Sequence, residues 1–409
     1  MPSFRFTHYA WVILFTCFAN LFINYAVQLG YGVILPEMIQ ALNFSRTAAG
    51  TIFNAYLIIY IALTPLTGYL ADRLGARRII TAGALILGIG TVLMGTVQTL
   101  WMACAVYSLV GIGATGMWIP IIALVQRWFA ADRRGLALGI LSVGYGLGFA
   151  TVGAAFPWIV NHYSWRYAWF LLGFAALGMA VVNGLLLRKD PAAAGTEPWG
   201  FKKPAENAKG PLAPPQKSEG PSSILRNRMF WLIGVSYFAV CYCLYAITTY
   251  MVDFGGQIGM TIAKASFLAT VHGLGQVAGV LIVLPLSDFL GRIRTIIISN
   301  AMITCSLLGI IIIGNSWQAL YALIGCFALF YGATFPLYGA CAGDYFPQKI
   351  IATVAGAWTP FYGLGAITAH WVTGWIRDTT GTYHLAFAIA AVMALLAILM
   401  IRFARQTGR

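Results

Sequence analysis

Twelve stretches of this chain run for about 20 residues or more with charge confined to their ends, the length one helix needs to cross a bilayer. They fall roughly at 9–36, 47–71, 78–98, 101–126, 134–161, 166–187, 230–254, 263–288, 294–314, 317–343, 349–376 and 383–403. Backbone polar groups in hydrocarbon must pair within their own segment, so such runs become helices, whereas a barrel would show short alternating strands. Composition points the same way. Hydrophobic residues make up 60% of the 409 and charged ones only 9%, against about 25% in a soluble chain. With mean hydropathy +0.80, too little polar surface remains to cover a water-soluble globule. The expectation is an all-α membrane protein with twelve transmembrane helices.

Charge sets the orientation. All 11 acids (Glu37, Asp72, Asp132, Asp190, Glu197, Glu206, Glu219, Asp253, Asp288, Asp344 and Asp378) lie in or beside hydrophilic breaks. With both termini in the cytoplasm, every Lys and Arg except Arg46, Arg166, Lys264 and Arg377 falls on the cytoplasmic side, as the positive-inside rule requires. The net charge of +14 then reflects topology and an anionic inner leaflet, and asks for no nucleic-acid partner. The first run is too long for a cleavable signal and lacks a small-residue cleavage site, so it is expected to insert as the first helix. The location expected is a cell membrane, the inner membrane if the source is a bacterium. The cysteines (Cys17, Cys104, Cys241, Cys243, Cys305, Cys326, Cys341) are odd in number, lie in apolar runs, and read as small packing residues. Neither a metal nor a cofactor is expected.

Residues 189–228 interrupt the pattern with Pro, Lys, Ala and Gly, a composition suited to a flexible cytoplasmic connection. They divide residues 1–188 from 229–409, and the two parts are alike. Tyr145-Gly-Leu-Gly148 returns as Tyr362-Gly-Leu-Gly365, 217 positions later. At the same offset Trp158-Ile159 matches Trp375-Ile376, Gly139 matches Gly356, and Trp128-Phe129 matches Tyr345-Phe346; at 216, Asp72 and Gly75 match Asp288 and Gly291. Two six-helix units in one orientation make a parallel repeat about the membrane normal, the major facilitator arrangement.

Between the second and third runs stands Gly68-Tyr-Leu-Ala-Asp72-Arg73-Leu-Gly75-Ala-Arg77-Arg78. It is similar to the cytoplasmic loop signature of the major facilitator superfamily, which the chain resembles over its full length. The resemblance implies two pseudo-symmetric six-helix bundles working by alternating access. It also implies a gate in which Gly68, Asp72, Arg73 and Arg77 latch the cytoplasmic side, with a degenerate second copy at Asp288 and Arg292. Gly68 is expected to let a helix end approach its neighbour closely, while Asp72 and the arginines form a charge and helix-dipole network. The plainer alternative is that the arginines only set topology. Phe44-Ser45-Arg46, Arg127-Trp128-Phe129, the stretch Asp132–Gly139 leading into Gly144-Tyr-Gly-Leu-Gly148, and Tyr107 in the fourth run resemble the monocarboxylate and oxalate/formate carrier branch. The chain departs from that branch at Val280, where the branch has an arginine, and at Gln276, beside it, where it has an acid. Gly111-Ile-Gly113-Ala-Thr-Gly116 matches a dinucleotide fingerprint by letters alone. It lies inside an apolar helix with no strand before it, so close helix packing is the reading.

A carrier of this type holds its substrate near the midplane between the halves. In the first run Asn20, Asn24, Gln28 and Tyr31 share one helical face, and 217 positions later stand Tyr237, Cys241, Tyr245 and Thr248. These stripes are either cavity walls or interhelical hydrogen bonds. His272 and Gln276 share a face near the centre of the eighth run; His272 is either a protonatable anchor or a neutral histidine tied to a neighbour. His370 lies nearer the outer end of the eleventh run, as a second proton-coupling candidate. Trp118, Tyr145, Tyr331 and Tyr362 complete the candidate substrate-binding set, each equally explicable by lipid or packing. No run carries a Lys, Arg, Asp or Glu near its centre.

The function expected is secondary active transport of a small organic anion of monocarboxylate type, moved with a proton by a monomer embedded in the bilayer. Two alternatives stand beside it: an uncoupled facilitator or carrier of a neutral solute, and a non-transporting membrane sensor. An enzyme is not expected, since no nucleophile–base pair or metal cluster stands out.

Overall fold

The computed structural model describes residues 8–130, 133–201, 225–314, 316–346, 354 and 356–407. Arg5, Asp132, Lys349 and residues 202–224 of the connection lie outside the described residues, as does part of the start of the eleventh run. Among the described residues the chain is helical and has no strand, only an isolated bridge. The first half holds α1 (Tyr9–Leu42), α2 (Arg46–Leu74), α3 (Ala76–Met94), α4 (Leu100–Thr115), α5 (Ile119–Trp128), α6 (Arg134–His162) and α7 (Trp165–Leu186). The second holds α8 (Arg228–Thr248), α9 (Met251–Gln257), α10 (Ile262–Leu290), α11 (Arg292–Ile313), α12 (Trp317–Gly332), α13 (Thr334–Tyr345), α14 (Thr359–Thr380) and α15 (His384–Thr407).

Eleven described segments are long and apolar enough to cross a bilayer, with α4–α5 and α12–α13 each counted as one. The 22-residue α14 is the exception, and its position explains why. It is packed between α2 and α8, so its polar residues meet protein rather than lipid. Three of the expected single spans are broken: α4 gives way to α5 after Thr115, α8 to α9 after Thr248, and α12 to α13 at Ala333. The first and third breaks fall at equivalent places in the repeat, and a proline follows each, at Pro120 and Pro336.

Local chemistry sets the helix ends. Ser45, Thr99, Ser164, Asn227 and Thr261 each accept a backbone N–H at the start of a helix. Asn43 closes α1 at φ 53°, a left-handed geometry that asparagine tolerates. Gly75 and Gly291, the matched glycines after the two loop aspartates, sit at φ 91° and 84°, where a side chain would be strained.

Packing obeys the duplication. In the first half α1 packs on α6 and α7, α3 on α4 and α7, and α2 on α4; in the second the equivalent pairs are α8 with α14 and α15, α11 with α12 and α15, and α10 with α12. The halves meet along α6–α10 and α2–α14, which exchange under the same pseudo-two-fold relation. The Tyr-Gly-Leu-Gly echo has its place here. A Cβ on Gly148 would lie 2.2 Å from Phe22 O, and one on Gly365 would lie 2.4 Å from Phe238 O, so both glycines seat their helix against the first helix of its own half. The refused fingerprint packs in the same manner, with Gly111 against Tyr56 O and Gly113 against Leu87 N.

Two expectations change. The cysteines are free, and Cys305 is exposed rather than packed inside. The connection is also not loose along its whole length. Trp199 pairs with the α5–α6 turn through Trp199 N to Trp128 O (2.8 Å) and Ala130 N to Trp199 O (3.0 Å). Its ring lies 5.1 Å from Trp11 and 5.7 Å from Phe129, and Arg133 sits over it at 5.6 Å. Composition counts prolines and lysines, and it misses one aromatic side chain that finds an aromatic socket.

Candidate functional site

Between the halves, side chains from α1, α2, α6, α8, α10, α12 and α14 converge at the middle of the bundle. Tyr145 of α6 shares a hydrogen bond with Tyr331 of α12 at 3.1 Å, bridging the halves. Gln28 of α1 reaches Tyr245 of α8 at 3.5 Å, and the Tyr245 hydroxyl is bonded in turn to Tyr362 of α14. The Tyr25 ring lies 3.8 Å from that of Tyr145, and Tyr60 stacks on Tyr56 at 6.0 Å. Around this cluster, Asn24 Oδ1, Tyr56 OH, His272 Nδ1 and Gln276 Oε1 are buried without a hydrogen-bond partner. A polar atom in that condition costs about 1–3 kcal/mol unless something pairs with it.

His272 is fully buried, with Nε2 3.3 Å from Thr248 Oγ1 and its ring among Phe149, Phe327 and Tyr331. Trp118 stands at the α4–α5 break, edge-on to Tyr25 at 6.2 Å. The other candidates on the first helix are not all brought here. Asn20 exchanges amide hydrogen bonds with Asn183 of α7 at 2.7 and 2.8 Å, inside the first half. Tyr31 donates to Ala49 O at 2.8 Å and stacks on Tyr107, away from the cluster. A helix turns about 100° per residue, so relative to Asn20 the positions fall at about 20° for Tyr31, 40° for Asn24, 80° for Gln28 and 140° for Tyr25. The central face is the far edge of the polar stripe, and Tyr25, which the stripe leaves out, belongs to it.

The face away from the termini is closed by a second polar set that sequence reasoning missed. Arg46, at the start of α2, makes two 3.1 Å bonds to Asp253 of α9, and Tyr383 donates to the same carboxylate at 2.5 Å. Asp378 of α14 accepts the backbone N–H groups of Arg46 and Thr47 at 2.9 and 2.8 Å and the Thr47 hydroxyl at 2.6 Å. One half thereby caps a helix of the other. Just inside, His370 bridges both halves. Asn54 Nδ2 donates to Ile367 O at 3.0 Å, which turns Asn54 Oδ1 toward His370 Nδ1 at 2.8 Å. His370 therefore carries its proton on Nδ1, and Nε2 accepts from Thr249 Oγ1 at 2.9 Å.

At the terminal face the loop residues make contacts only within their own half. Asp72 is 3.7 Å from Arg127, both well exposed; Arg73 lies over Tyr69; Arg77 bonds Gly184 O; and Arg292 pairs with Asp288 at 2.6 Å. Gly68 does not mark a close approach here. A Cβ there would meet only Ile119 Cγ2, at 3.8 Å, in ordinary contact. Among the described residues, the hydrogen bonds joining the halves all lie between the centre and the opposite face. Among the described residues, too, no three His, Cys, Asp or Glu side chains gather as a metal site.

Comparison with known proteins gives this geometry a setting. The sequence profile of the Major Facilitator Superfamily matches residues 16–267 and 233–409. A probable galactarate/D-glucarate transporter of Bacillus subtilis is 24% identical, over 97% of this chain and 92% of that one. Monocarboxylate transporter 13 of Bos taurus is 21% identical, over 95% and 87%. A crystal structure of a bacterial homologue of the human lysosomal transporter Spinster superposes with a TM-score of 0.74 over 98% of both chains, at 16% identity.

Proposed function

The chain belongs to the Major Facilitator Superfamily, a family of transporters rather than enzymes, and on that premise we propose that it carries a small organic carboxylate together with a proton. The two bundles, residues 1–188 and 229–409 joined by 189–228, rock about the central cluster as a monomer. The terminal face is cytoplasmic, as the distribution of basic residues supports. In the described conformation the site is then shut from outside by Arg46, Asp253 and Asp378.

The observation that carries the reading is the makeup of the centre: hydroxyls, amides and a histidine, with no Lys, Arg, Asp or Glu. A fixed cation would hold a carboxylate by itself and move net charge. Without one, a bare carboxylate entering the bundle loses hydration worth several kcal/mol and gains no counter-charge. A proton travelling with it removes that cost. His272, with Nδ1 unpaired at the centre, is the group that takes the proton while the cavity is wet. His370 is the second station, reached when the outer contacts part. The relatives named above for galactarate/D-glucarate and for monocarboxylates support an acid as cargo.

Uptake of a labelled carboxylate into proteoliposomes, corrected for protein-free vesicles, tests this. An inward proton gradient should raise uptake, an imposed membrane potential should not, and His272→Ala should remove the stimulation. Uptake driven by potential and indifferent to pH would sink the reading. Gradient-insensitive uptake of an uncharged solute would establish the neutral-solute alternative, which the missing central cation also suits.

A further inference from the structure

Six aromatic side chains form a continuous collar at the level of the central cluster. Trp118 meets Tyr25 at 6.2 Å, Tyr25 meets Tyr145 at 3.8 Å, and Tyr145 meets Phe335 at 6.4 Å across the interface. Phe335 then meets Tyr237 at 6.1 Å and Tyr362 at 5.6 Å. Three rings come from each half. All but Tyr145 are only half-buried although they lie mid-bundle, so their free faces border the space between the halves. Two of the collar's four hydroxyls are paired, Tyr145 with Tyr331 and Tyr362 with Tyr245, and those of Tyr25 and Tyr237 edge the rings. What the collar presents to a solute is mostly ring surface. Fully buried and unpaired beside it are polar atoms of Asn24, Tyr56, His272 and Gln276.

We propose that the acid taken by this site has a flat aromatic body, held edge-on or offset against the collar, with its carboxyl group toward the unpaired polar atoms beside it. This rests on the carboxylate reading above and narrows it. A ring finds matching quadrupoles on Tyr25, Phe335 and Tyr237, the arrangement that makes aromatic pairs favourable beyond their buried area. A polyhydroxylated sugar acid finds the opposite. Each of its hydroxyls needs a partner on leaving water, and the few unpaired atoms beside the ring faces, the Tyr25 and Tyr237 hydroxyls included, leave some of them unmatched. The collar thus selects against the cargo named for the galactarate/D-glucarate relative.

Calorimetric titration of the purified full chain with benzoate, isobutyrate, galactarate and benzamide tests the proposal. Benzoate should bind about tenfold or more tighter than isobutyrate, the scale of one or two good aromatic contacts, and galactarate should bind weakest. Phe335→Ala should weaken benzoate about tenfold and isobutyrate much less, with Phe335→Leu, which keeps the bulk, falling between. Equal weakening of both acids by Phe335→Ala, in a variant that melts like the parent, overturns the collar as a ring site. Galactarate binding without benzoate overturns it as well and leaves the carboxylate reading intact. Benzamide binding as tightly as benzoate keeps the ring site and removes the carboxylate. Binding of none of the four overturns both.

Discussion

Replacing Gly374 with alanine should pry open the face away from the termini. A Cβ at that position would stand 2.7 Å from Arg46 O, 2.8 Å from Arg46 C and 2.9 Å from Thr47 N. Carbon contacts settle at about 3.5–4.0 Å, so α14 and α2 must separate by about 1 Å. All three neighbours are backbone atoms, and no rotamer change can absorb the clash. Overpacking of this kind typically costs about 1–3 kcal/mol, which lowers the closed-to-open ratio by about 5- to 150-fold. The cost falls only on the closed arrangement, because the clash is between halves. Amide exchange followed by mass spectrometry reads the result without labels. Residues 46–54 and 366–380 should exchange faster, since the Arg46 and Thr47 amides lose Asp378 and the α2–α14 interface opens to water. Gly139→Ala, where no atom lies within 4 Å, should exchange like the parent. If folded Gly374→Ala protein exchanges like the parent over both segments, this contact does not govern closure.

Two further outcomes follow from the buried amides and from the loop charges. Asn20→Ala strands the Asn183 side chain inside the first half and should cost about 1 kcal/mol, seen as a lowered Tm; Asn20→Leu with Asn183→Leu should recover part of it, and neither change should alter substrate affinity. Asp72→Asn should leave Tm nearly unchanged, because an exposed ion pair at 3.7 Å is worth about 0–1 kcal/mol, whereas Asp253→Asn should lower it clearly by loosening a buried carboxylate from Arg46 and Tyr383.

The helices and the duplication were legible because hydrophobic length and repeated offsets are properties of one strand of letters. The matched breaks carry a signature as well: Gly116-Met-Trp-Ile-Pro120 and Gly332-Ala-Thr-Phe-Pro336 place a glycine four residues before a proline at one offset. The outer closure was not. Arg46, Asp253 and Asp378 each read as charges at helix ends, and their pairing depends on how two bundles dock, which no periodicity encodes. The central site was half legible. Gln28, Asn24, His272, Gln276, Tyr145, Tyr331 and Tyr362 do meet near the middle, but the polar stripe on α1 also carried Asn20 and Tyr31 into the interior of the first half. A polarity scan passes over Tyr25 and Phe335 because contacts between rings leave no polar signature.

The docking of Trp199 bears on how the chain can be divided. A coexpressed pair of fragments, or a fusion inserted between the bundles, is most naturally placed where the composition turns hydrophilic, just after Leu187. A cut there would strip Trp199 from Trp11 and Phe129 and leave those rings facing water. Moved beyond Gly200, the same cut keeps the aromatic plug with the fragment it closes. Thirteen residues thus separate a fragment with its end sealed from one that offers a sticky aromatic surface to its neighbours.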